Sequence, residues 1–413
     1  MLPRNGDLHL HSTASDGSRT PAEVIRAAAD RHLPVIALTD HDTLAGIAAA
    51  EAELARLRAG GHYAPAFVPG VELSVYFEEQ EIHLLAYFPD HRLEPMQDFL
   101  AMQRRARVRR NLEMLAKLEQ LGYTIGSGDI PASREPDRSW GRLHIASALV
   151  AKRYFASNSD AFHALLLPGR PAYVPRQKIT LDDALPVIRA CDGVAVVAHP
   201  QKYGWCPETD TNVVAPLLLK KCRALAAAGV DGIEAGHGDA TAGQVRQMVA
   251  AAETFRLQYT AGSDDHGRAT PNRAMYAAAT TKFPERTAVV VCALIADGNG
   301  RYLFGRRAAS EKLAGFYELP GGKVDRGESN EAALRREIEE ELCLAAAIGR
   351  LRAVLWHDTA DLFLALAVYD TVLPGGTPRL TVHDELVWLS PQEALASRLL
   401  PADHAFFAQL LDG

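Results

Sequence analysis

Residues Leu33-Pro-Val-Ile-Ala-Leu-Thr-Asp-His-Asp-Thr43 decide the reading of the first two-thirds of the chain. Pro34 to Thr39 is a short apolar run, the composition of a buried strand, and it stops at three polar side chains, Asp40, His41 and Asp42. From Thr43 to Arg58 the residues change to Ala, Leu, Glu and Arg at helical period. Strand, polar tip and helix together form the unit of a parallel sheet, whose strands are joined by helical crossovers.

The unit recurs on either side. Pro21 to Asp30 has helical period, and short apolar runs return at Phe67-Val68, Ile82 to Phe88, Gly193 to Ala198, Val230 to Ala235 and Leu257 to Ala261. Such repetition over about 280 residues predicts an α/β barrel, in which the C-terminal strand ends meet on one rim. What lies at those ends is systematic. His9 and His11 with Asp16 follow the first segment, His41 the second and Glu72 the third; His83 lies within its run, His199 follows Ala198, and Asp264 and His266 follow Gly262. His-x-His puts two imidazoles on one side of an extended chain. Any single histidine of this kind can be an ordinary packed or surface residue. Six histidines and three carboxylates directed at one rim are a ligand set for divalent cations of the Mn, Zn or Fe type.

Composition bounds the alternatives. The 413 residues suit two or three domains, and 48% apolar content is enough to give each a core. With 51 acidic against 44 basic side chains the net charge is −7. That argues against retention on nucleic acid by bulk positive charge, so no stable DNA complex is expected. No apolar run is long enough for a membrane helix, and Met1 to Ser12 has no apolar signal core, so no membrane association and a cytoplasmic location are expected. Cys191, Cys206, Cys222, Cys292 and Cys343 lack Cys-x-x-Cys spacing and fit neither a disulfide framework nor a thiolate zinc site.

Two stretches break the rhythm. A helical insertion is predicted at about 96–180: residues 96–122 carry Arg104, Arg105, Arg107, Arg109 and Arg110, read as a solvated face with RNA tracking as the alternative, and a Gly/Ser/Pro/Asp-rich passage follows at 126–141. The second break, at 271–286, precedes a new strand, Thr287 to Ile295, turned at Asp297-Gly-Asn-Gly300. The expected domains are 1–285 and 286–413.

The segments DLHLHSTASDG (7–17), ALTDHDT (37–43), PGVELS (69–74), IHLLAYF (82–88), VAVVAHP (194–200) and AGSDDHG (261–267) occur in this order. They resemble the successive motifs of the PHP (polymerase and histidinol phosphatase) superfamily, most of all its nucleoside 3′,5′-bisphosphate phosphatases and 5′-to-3′ exoribonucleases. The resemblance spans roughly residues 5–270 and implies a distorted (β/α)7 barrel with a trinuclear metal centre. It implies His9, His11, Glu72 and Asp264 on one ion, Glu72, His83 and His199 on a second, and Asp16, His41 and His266 on a third, with His199 and Asp264 acting in catalysis. Asp265 stands where the family often has an aromatic residue, an extra carboxylate able to alter metal or substrate preference. Gly141-Arg-Leu-His144 resembles a substrate-facing element of the family. Arg142 and His144, with Arg170 as a further candidate, are therefore expected near substrate phosphates; a solvent-facing Arg142 is the alternative. Two or three cations so held, Mn2+ first and Zn2+ or Fe2+ next, activate water near neutral pH and keep phosphate oxygens in line for displacement.

Beyond residue 285 the informative stretch is Gly315 to Leu344. Gly321, Gly322 and Gly327 permit a tight loop, Ser329 or Asn330 can cap a helix, and Glu331 to Leu342 continue it. Glu337, Glu340 and Glu341 share one helix face, where a cation relieves their repulsion; oxygen ligands of this kind suit Mg2+ or Mn2+. On spacing alone, a solvated acidic helix is the alternative. Gly322, Glu328, Arg336-Glu337-Ile338 and Glu340-Glu341 have the spacing of the Nudix box, and the segment resembles MutT-like Nudix hydrolases. That implies an α/β/α sandwich and attack of water on a diphosphate bridge, giving a nucleoside monophosphate and pyrophosphate. Arg336 would orient the helix, Glu337 would serve as general base or metal carboxylate, and Glu340 and Glu341 would hold metal. Cys343 replaces the glycine of the box and is expected to strain the helix end by about 1 kcal/mol without touching the carboxylates. Asp403 resembles a base-reading position, with helix capping as the alternative, and Glu385 is a further candidate metal carboxylate. The whole reads as a bifunctional metal-dependent phosphohydrolase acting on small nucleotides or short RNA. Its rivals are one catalytic domain joined to a nucleotide-sensing one, and a metal-dependent RNA-binding scaffold.

Overall fold

A computed structural model of the chain describes residues 6–130, 141–175, 178–209, 211–267, 283–359 and 362–412. Much of the passage at 126–141 and of the break at 271–286 lies outside the described residues. The opening units are β1 (Asp7–Leu10), α1 (Pro21–Asp30), β2 (Val35–Leu38) and α2 (Ile47–Ala59). Helix α1 starts where Thr20 accepts the Glu23 N–H and the Glu23 carboxylate returns to the Thr20 N–H at 2.7 Å, and it buries Val24, Ile25, Ala28 and Ala29. β1 pairs with β2, and β2 with β3 (Ala66–Phe77), in parallel.

Parallel order is then interrupted. β3 runs on to Phe77, turns through Glu78 in the left-handed region (φ 52°), and returns as β4 (Gln80–Tyr87), antiparallel to β3 and to β5 (Val194–Val197). Positive φ in a two-residue connection matches the twist of a hairpin. The consequence is functional: His83 lies opposite Ser74, on the same sheet face as Glu72. β6 (Gly232–His237) and β7 (Gln258–Gly262) complete a seven-stranded sheet in the order β1 to β7, and a parallel bridge between Leu10 and Asp265 nearly closes the barrel.

The insertion between β4 and β5 comprises α3 (Glu94–Gln120), α4 (Arg142–Ala151) and α5 (Asn158–Ala161), the last leading into one wide helical turn at Phe162–Leu166. It has its own core of Met114, Leu118, Ile145, Leu149 and Leu166. α6 (Leu181–Ala190) leads back to β5, and α7 (Pro216–Ala228) and α8 (Ala242–Phe255) flank β6 in sequence. No helix among the described residues is long and apolar enough to cross a membrane.

The last part of the chain contains β8 (Thr287–Ile295), β9 (Tyr302–Arg307), β10 (Tyr317–Glu318), β11 (Gly321–Lys323), α9 (Asn330–Leu342), β12 (Ala347–Asp358), β13 (Phe363–Val372), β14 (His383–Leu389), α10 (Pro391–Ala396) and α11 (Pro401–Asp412). They form an α/β/α sandwich around sheets ordered β11-β8-β13-β12 and β10-β9-β14. Phe304, Phe406 and Phe407 fill the core beneath α11.

By packing, residues 5–198 and 261–280 form one compact unit, and 199–260 with 281–413 form the other. Within the second unit the segment before α7 pairs with β12, the outer strand of its sheet. Val214 N donates to Val354 O at 2.8 Å, Trp356 N to Asn212 O at 2.9 Å, and Asn212 Nδ2 to Trp356 O at 2.9 Å. An edge that would otherwise expose unpaired backbone groups is thereby covered. Val214→Pro removes the donor to Val354, a fully buried residue, and is expected to destabilise this unit by about 1–3 kcal/mol, read as a lower denaturation midpoint with unchanged slope.

Candidate functional site

The barrel rim gathers around Glu72. Its Oε1 lies 2.7 Å from His83 Nδ1, and its Oε2 lies 3.0 Å from His41 Nδ1, 3.2 Å from His9 Nε2 and 3.3 Å from His11 Nε2. Asp264 Oδ1 stands 3.2 Å from His11 Nε2 and 3.6 Å from His266 Nδ1, and Asp16 Oδ1 stands 3.2 Å from His266 Nε2. The His11 ring stacks with those of His41 and His266, at 4.5 and 4.2 Å between centroids. Three overlapping groups result, each with candidate ligand atoms within 4.8 Å of one another: His9, His11, Glu72, Asp264; His11, Asp16, His41, His266; and His41, Glu72, His83.

These residues fit divalent cations. Both ring nitrogens of His11 are buried without a hydrogen-bond partner, an arrangement that is costly unless the group ligates something. Burial would lower the His41 pKa, but the charge and hydrogen bond of Glu72, aided by Asp16, raise it to about 9. For Asp16, burial acts upward and is outweighed by the hydrogen bond from His266 and the charge of His41, which hold it down at about 2. A divalent ion displaces such protons from imidazole ligands.

Two buried carboxylates that are not among the expected ligands, Asp7 and Asp40, brace the rim. Asp7 accepts the N–H and hydroxyl of Ser263 at 2.9 and 2.6 Å, just before Asp264. Asp40 accepts the N–H and hydroxyl of Ser12 at 2.7 Å each and the hydroxyl of Ser15 at 2.6 Å, next to His11 and Asp16. Their only sequence signal is alternation: Asp7 shares a strand face with His9.

The other expected residues have partners of their own. The His199 N–H donates to Glu234 Oε2 at 2.9 Å and its ring lies beside those of Tyr203 and His237. Asp265 accepts from Arg19 Nη1 at 2.8 Å and from the Gly267 N–H at 2.6 Å. Arg142 is half-buried; it donates to Leu166 O and lies against the rings of Phe162 and Tyr173, within the insertion's own packing. Arg170 is exposed. His144 does reach the rim, lining a cavity of about 190 Å³ with Ser15, His41, Arg104 and Arg107.

In the sandwich, Arg336 is the organiser. It donates to Glu328 at 3.2 and 3.0 Å, to Lys323 O at 3.1 Å and to Glu337 Oε1 at 2.7 Å, and it reaches the exposed Glu340 at 3.4 Å. Glu341 is buried and accepts the Gly321 N–H at 3.1 Å; burial pushes its pKa up to about 7, against the opposing charge of His383. The two glycines matter on different grounds. Gly321 has φ 148° with the Val291 carbonyl where a Cβ would stand, and a Cβ on Gly322 would collide with the Glu337 carboxylate. Cys343 closes α9 at φ 55°, a left-handed conformation glycine takes at lower cost. Asp403 sits in the first turn of α11, buried, accepting the Leu319 N–H at 3.3 Å, its pKa raised to about 7 by burial and by Glu318. Glu385 pairs with Arg306 at 3.1 Å.

Carboxylates and imidazoles crowded at a barrel rim, and a glutamate helix clamped by one arginine, define a two-domain phosphohydrolase. The PHP domain model matches residues 7–140 and the NUDIX domain model residues 286–410. A 5′-3′ exoribonuclease of Haemophilus influenzae is 33% identical over 265 residues, covering 64% of this chain and 91% of that protein. A 3′,5′-nucleoside bisphosphate phosphatase of Chromobacterium violaceum is 33% identical over 263 residues, covering 63% and 87%. A CTP pyrophosphohydrolase of Escherichia coli is 36% identical over 115 residues, covering 28% of this chain and 85% of that protein. The chain belongs to the PHP family in its first part and to the Nudix hydrolases in its last, both of them metal-dependent.

Because Glu72 belongs to two of the three groups and His83 to one, Glu72→Gln is expected to remove more bound Mn2+ per chain than His83→Ala, as measured by equilibrium dialysis of chelator-stripped protein. Gly322→Ala is expected to displace Glu337 and reduce the hydrolytic rate of the Nudix domain about 100-fold with little change in Tm.

Proposed function

We propose that this chain is a bifunctional metal-dependent phosphohydrolase whose two catalytic domains meet near residue 285. The barrel removes phosphate from nucleoside 3′,5′-bisphosphates or works from the 5′ end of short RNA. The Nudix domain hydrolyses nucleoside triphosphates or related diphosphate compounds to a monophosphate and pyrophosphate. The observation that carries the reading is the convergence of eight ligand-type side chains into three overlapping groups at the rim. The names of the relatives support the substrate classes: phosphatase and exoribonuclease for the barrel, pyrophosphohydrolase for the sandwich.

His9, His11, Glu72 and Asp264, with Asp16, His41, His83, His199 and His266, would hold Mn2+, or Zn2+ or Fe2+; Glu337, Glu340 and Glu341 would hold Mg2+ or Mn2+. When bound, these ions supply Lewis acidity and make water nucleophilic near neutral pH. Asp7 and Asp40 keep the ligand-bearing loops in register. Arg336 keeps Glu337 aimed at the loop of Gly321-Gly322, where Glu337 can accept the proton of an attacking water or ligate the metal. Glu341, its pKa raised by burial, is drawn to the ionised state by a cation beside it.

The test uses the full chain with Mn2+ or Mg2+. His11→Ala is expected to lower phosphate release from adenosine 3′,5′-bisphosphate by about 100-fold or more and to leave pyrophosphate release from nucleoside triphosphates intact; Glu341→Gln should do the reverse. Either variant abolishing both activities in folded protein would refute two independent sites.

A further inference from the structure

We propose that a cavity bordered by α7, the end of α8 and the start of α9 is a separate anion site that binds a nucleoside monophosphate, the product class of the proposed Nudix reaction. The choice of ligand rests on that reading; the anion site itself does not. The cavity holds about 480 Å³, within the roughly 300–1,000 Å³ of small-molecule sites. All of its lining lies in the compact unit formed by residues 199–260 and 281–413. Part of that lining, between Arg223 and Arg256, precedes the stretch matched by the NUDIX domain model, and part, between Ser329 and Tyr369, lies inside it. Neither part of the chain therefore forms the cavity alone. None of the lining residues belongs to the three ligand groups of the rim or to the α9 carboxylates Glu337, Glu340 and Glu341.

The floor of the cavity is buried and tied together. Asn330 Nδ2 donates to Thr254 O at 3.1 Å and to the Tyr369 hydroxyl at 3.3 Å, which joins the end of α8 to the first turn of α9 and to β13. One residue before Thr254, Glu253 Oε1 accepts from Thr287 Oγ1 at 2.7 Å. A site held in shape by such bonds loses little to ordering when it is filled. Three exposed guanidiniums from three elements line the cavity, Arg223 of α7, Arg256 after α8 and Arg350 of β12. Arg350 Nε is taken by Asp370 at 2.7 Å. Arg223 lies 5.7 Å from the centroid of the Phe255 ring, and neither its side chain nor that of Arg256 makes a hydrogen bond or ion pair among the described residues. Against these cations the lining sets one carboxylate, Glu331. The unmet need is an anion with several acceptor oxygens, and a phosphate monoester, with about −1.5 to −2 charges at neutral pH, matches forked guanidinium donors. The volume exceeds what one phosphoryl group fills. The half-buried Phe255 ring offers apolar surface for a base, and the Glu331 carboxylate offers an acceptor for sugar hydroxyls, which favours a nucleoside monophosphate over free phosphate.

The experiment titrates cytidine 5′-monophosphate, adenosine 5′-monophosphate, cytidine and inorganic phosphate calorimetrically into the chelator-stripped full chain, as wild type and as Arg223→Ala, Arg256→Ala, His11→Ala and Glu341→Gln. At least one monophosphate is expected to bind wild type, to lose affinity about 10-fold in each arginine variant, and to keep it in His11→Ala and Glu341→Gln. Cytidine and inorganic phosphate should bind at least about 10-fold more weakly than the nucleotide. With Mg2+, both arginine variants should release pyrophosphate from nucleoside triphosphates at the wild-type rate. Absence of monophosphate binding, or binding that the arginine variants leave unchanged, overturns the site; so does an equal loss in His11→Ala or Glu341→Gln, which would put the ligand in a catalytic centre. Inorganic phosphate binding as tightly as the nucleotide overturns the choice of ligand. A wild type that releases no pyrophosphate refutes the Nudix reading, while the titrations still judge the anion site separately.

Discussion

A single buried carboxylate organises the barrel. Glu72 has essentially no exposed side-chain surface and faces four imidazoles within 3.3 Å. A carboxylate removed from water stays ionised only if compensating charge is close. Compensation can come from protons on the histidines or from divalent cations, and both use the same nitrogen atoms. Much of the local architecture follows from supplying those nitrogens. Period-two alternation in β1 brings His9 and His11 to one side, and the hairpin of β3 and β4 brings His83 to Oε1. Asp7 and Asp40 tie down the neighbouring serines, so the ligand-bearing loops cannot drift from the carboxylate they serve.

The sandwich solves the converse problem. Its helix α9 carries more acid than it can balance internally, and Arg336 neutralises part of it while fixing direction. The remaining constraint is steric. Gly322 lets β11 approach α9 closely enough for the Glu337 carboxylate to fill the space where a Cβ would be, and Gly321 lets it lie against Val291 of β8. Cys343 at the end of α9 adopts the left-handed conformation despite its side chain. The stop of α9 is therefore kept at a cost of about 1–2 kcal/mol, and the carboxylates upstream are undisturbed.

Sequence exposes those features that obey local rules. A parallel strand buried on both faces must be a short apolar run, and a ligand at its C-terminal end must follow closely, which is why His41 and Asp264 were legible, whereas Glu72 lies within β3, where the strand has passed from parallel to antiparallel pairing. The α9 carboxylates were legible because helical spacing alone puts them on one face. What escaped depends on tertiary partners. Asp7 and Asp40 are chemically indistinguishable from candidate ligands until their serine partners are seen. The direction of Arg142 is set by Phe162 and Tyr173, and the engagement of Asp265 by Arg19, far away in sequence. Residues 212–214 bear no strand signal of their own; their extended form comes from pairing with β12, about 140 residues later.

The net charge of −7 and phosphate-bearing substrates are compatible once charge is resolved by place. At physiological ionic strength the field of surface carboxylates is screened beyond about 8 Å, so the total charge matters little to a phosphate already at the rim. What matters is the half-buried ring of Arg104, Arg107 and His144 around His41, where low local dielectric strengthens each contact. On α3 the arginines divide between faces: Arg105 and Arg109 are exposed, while Arg104, Arg107 and Arg110 are half-buried, so only part of that helix's positive charge is turned inward.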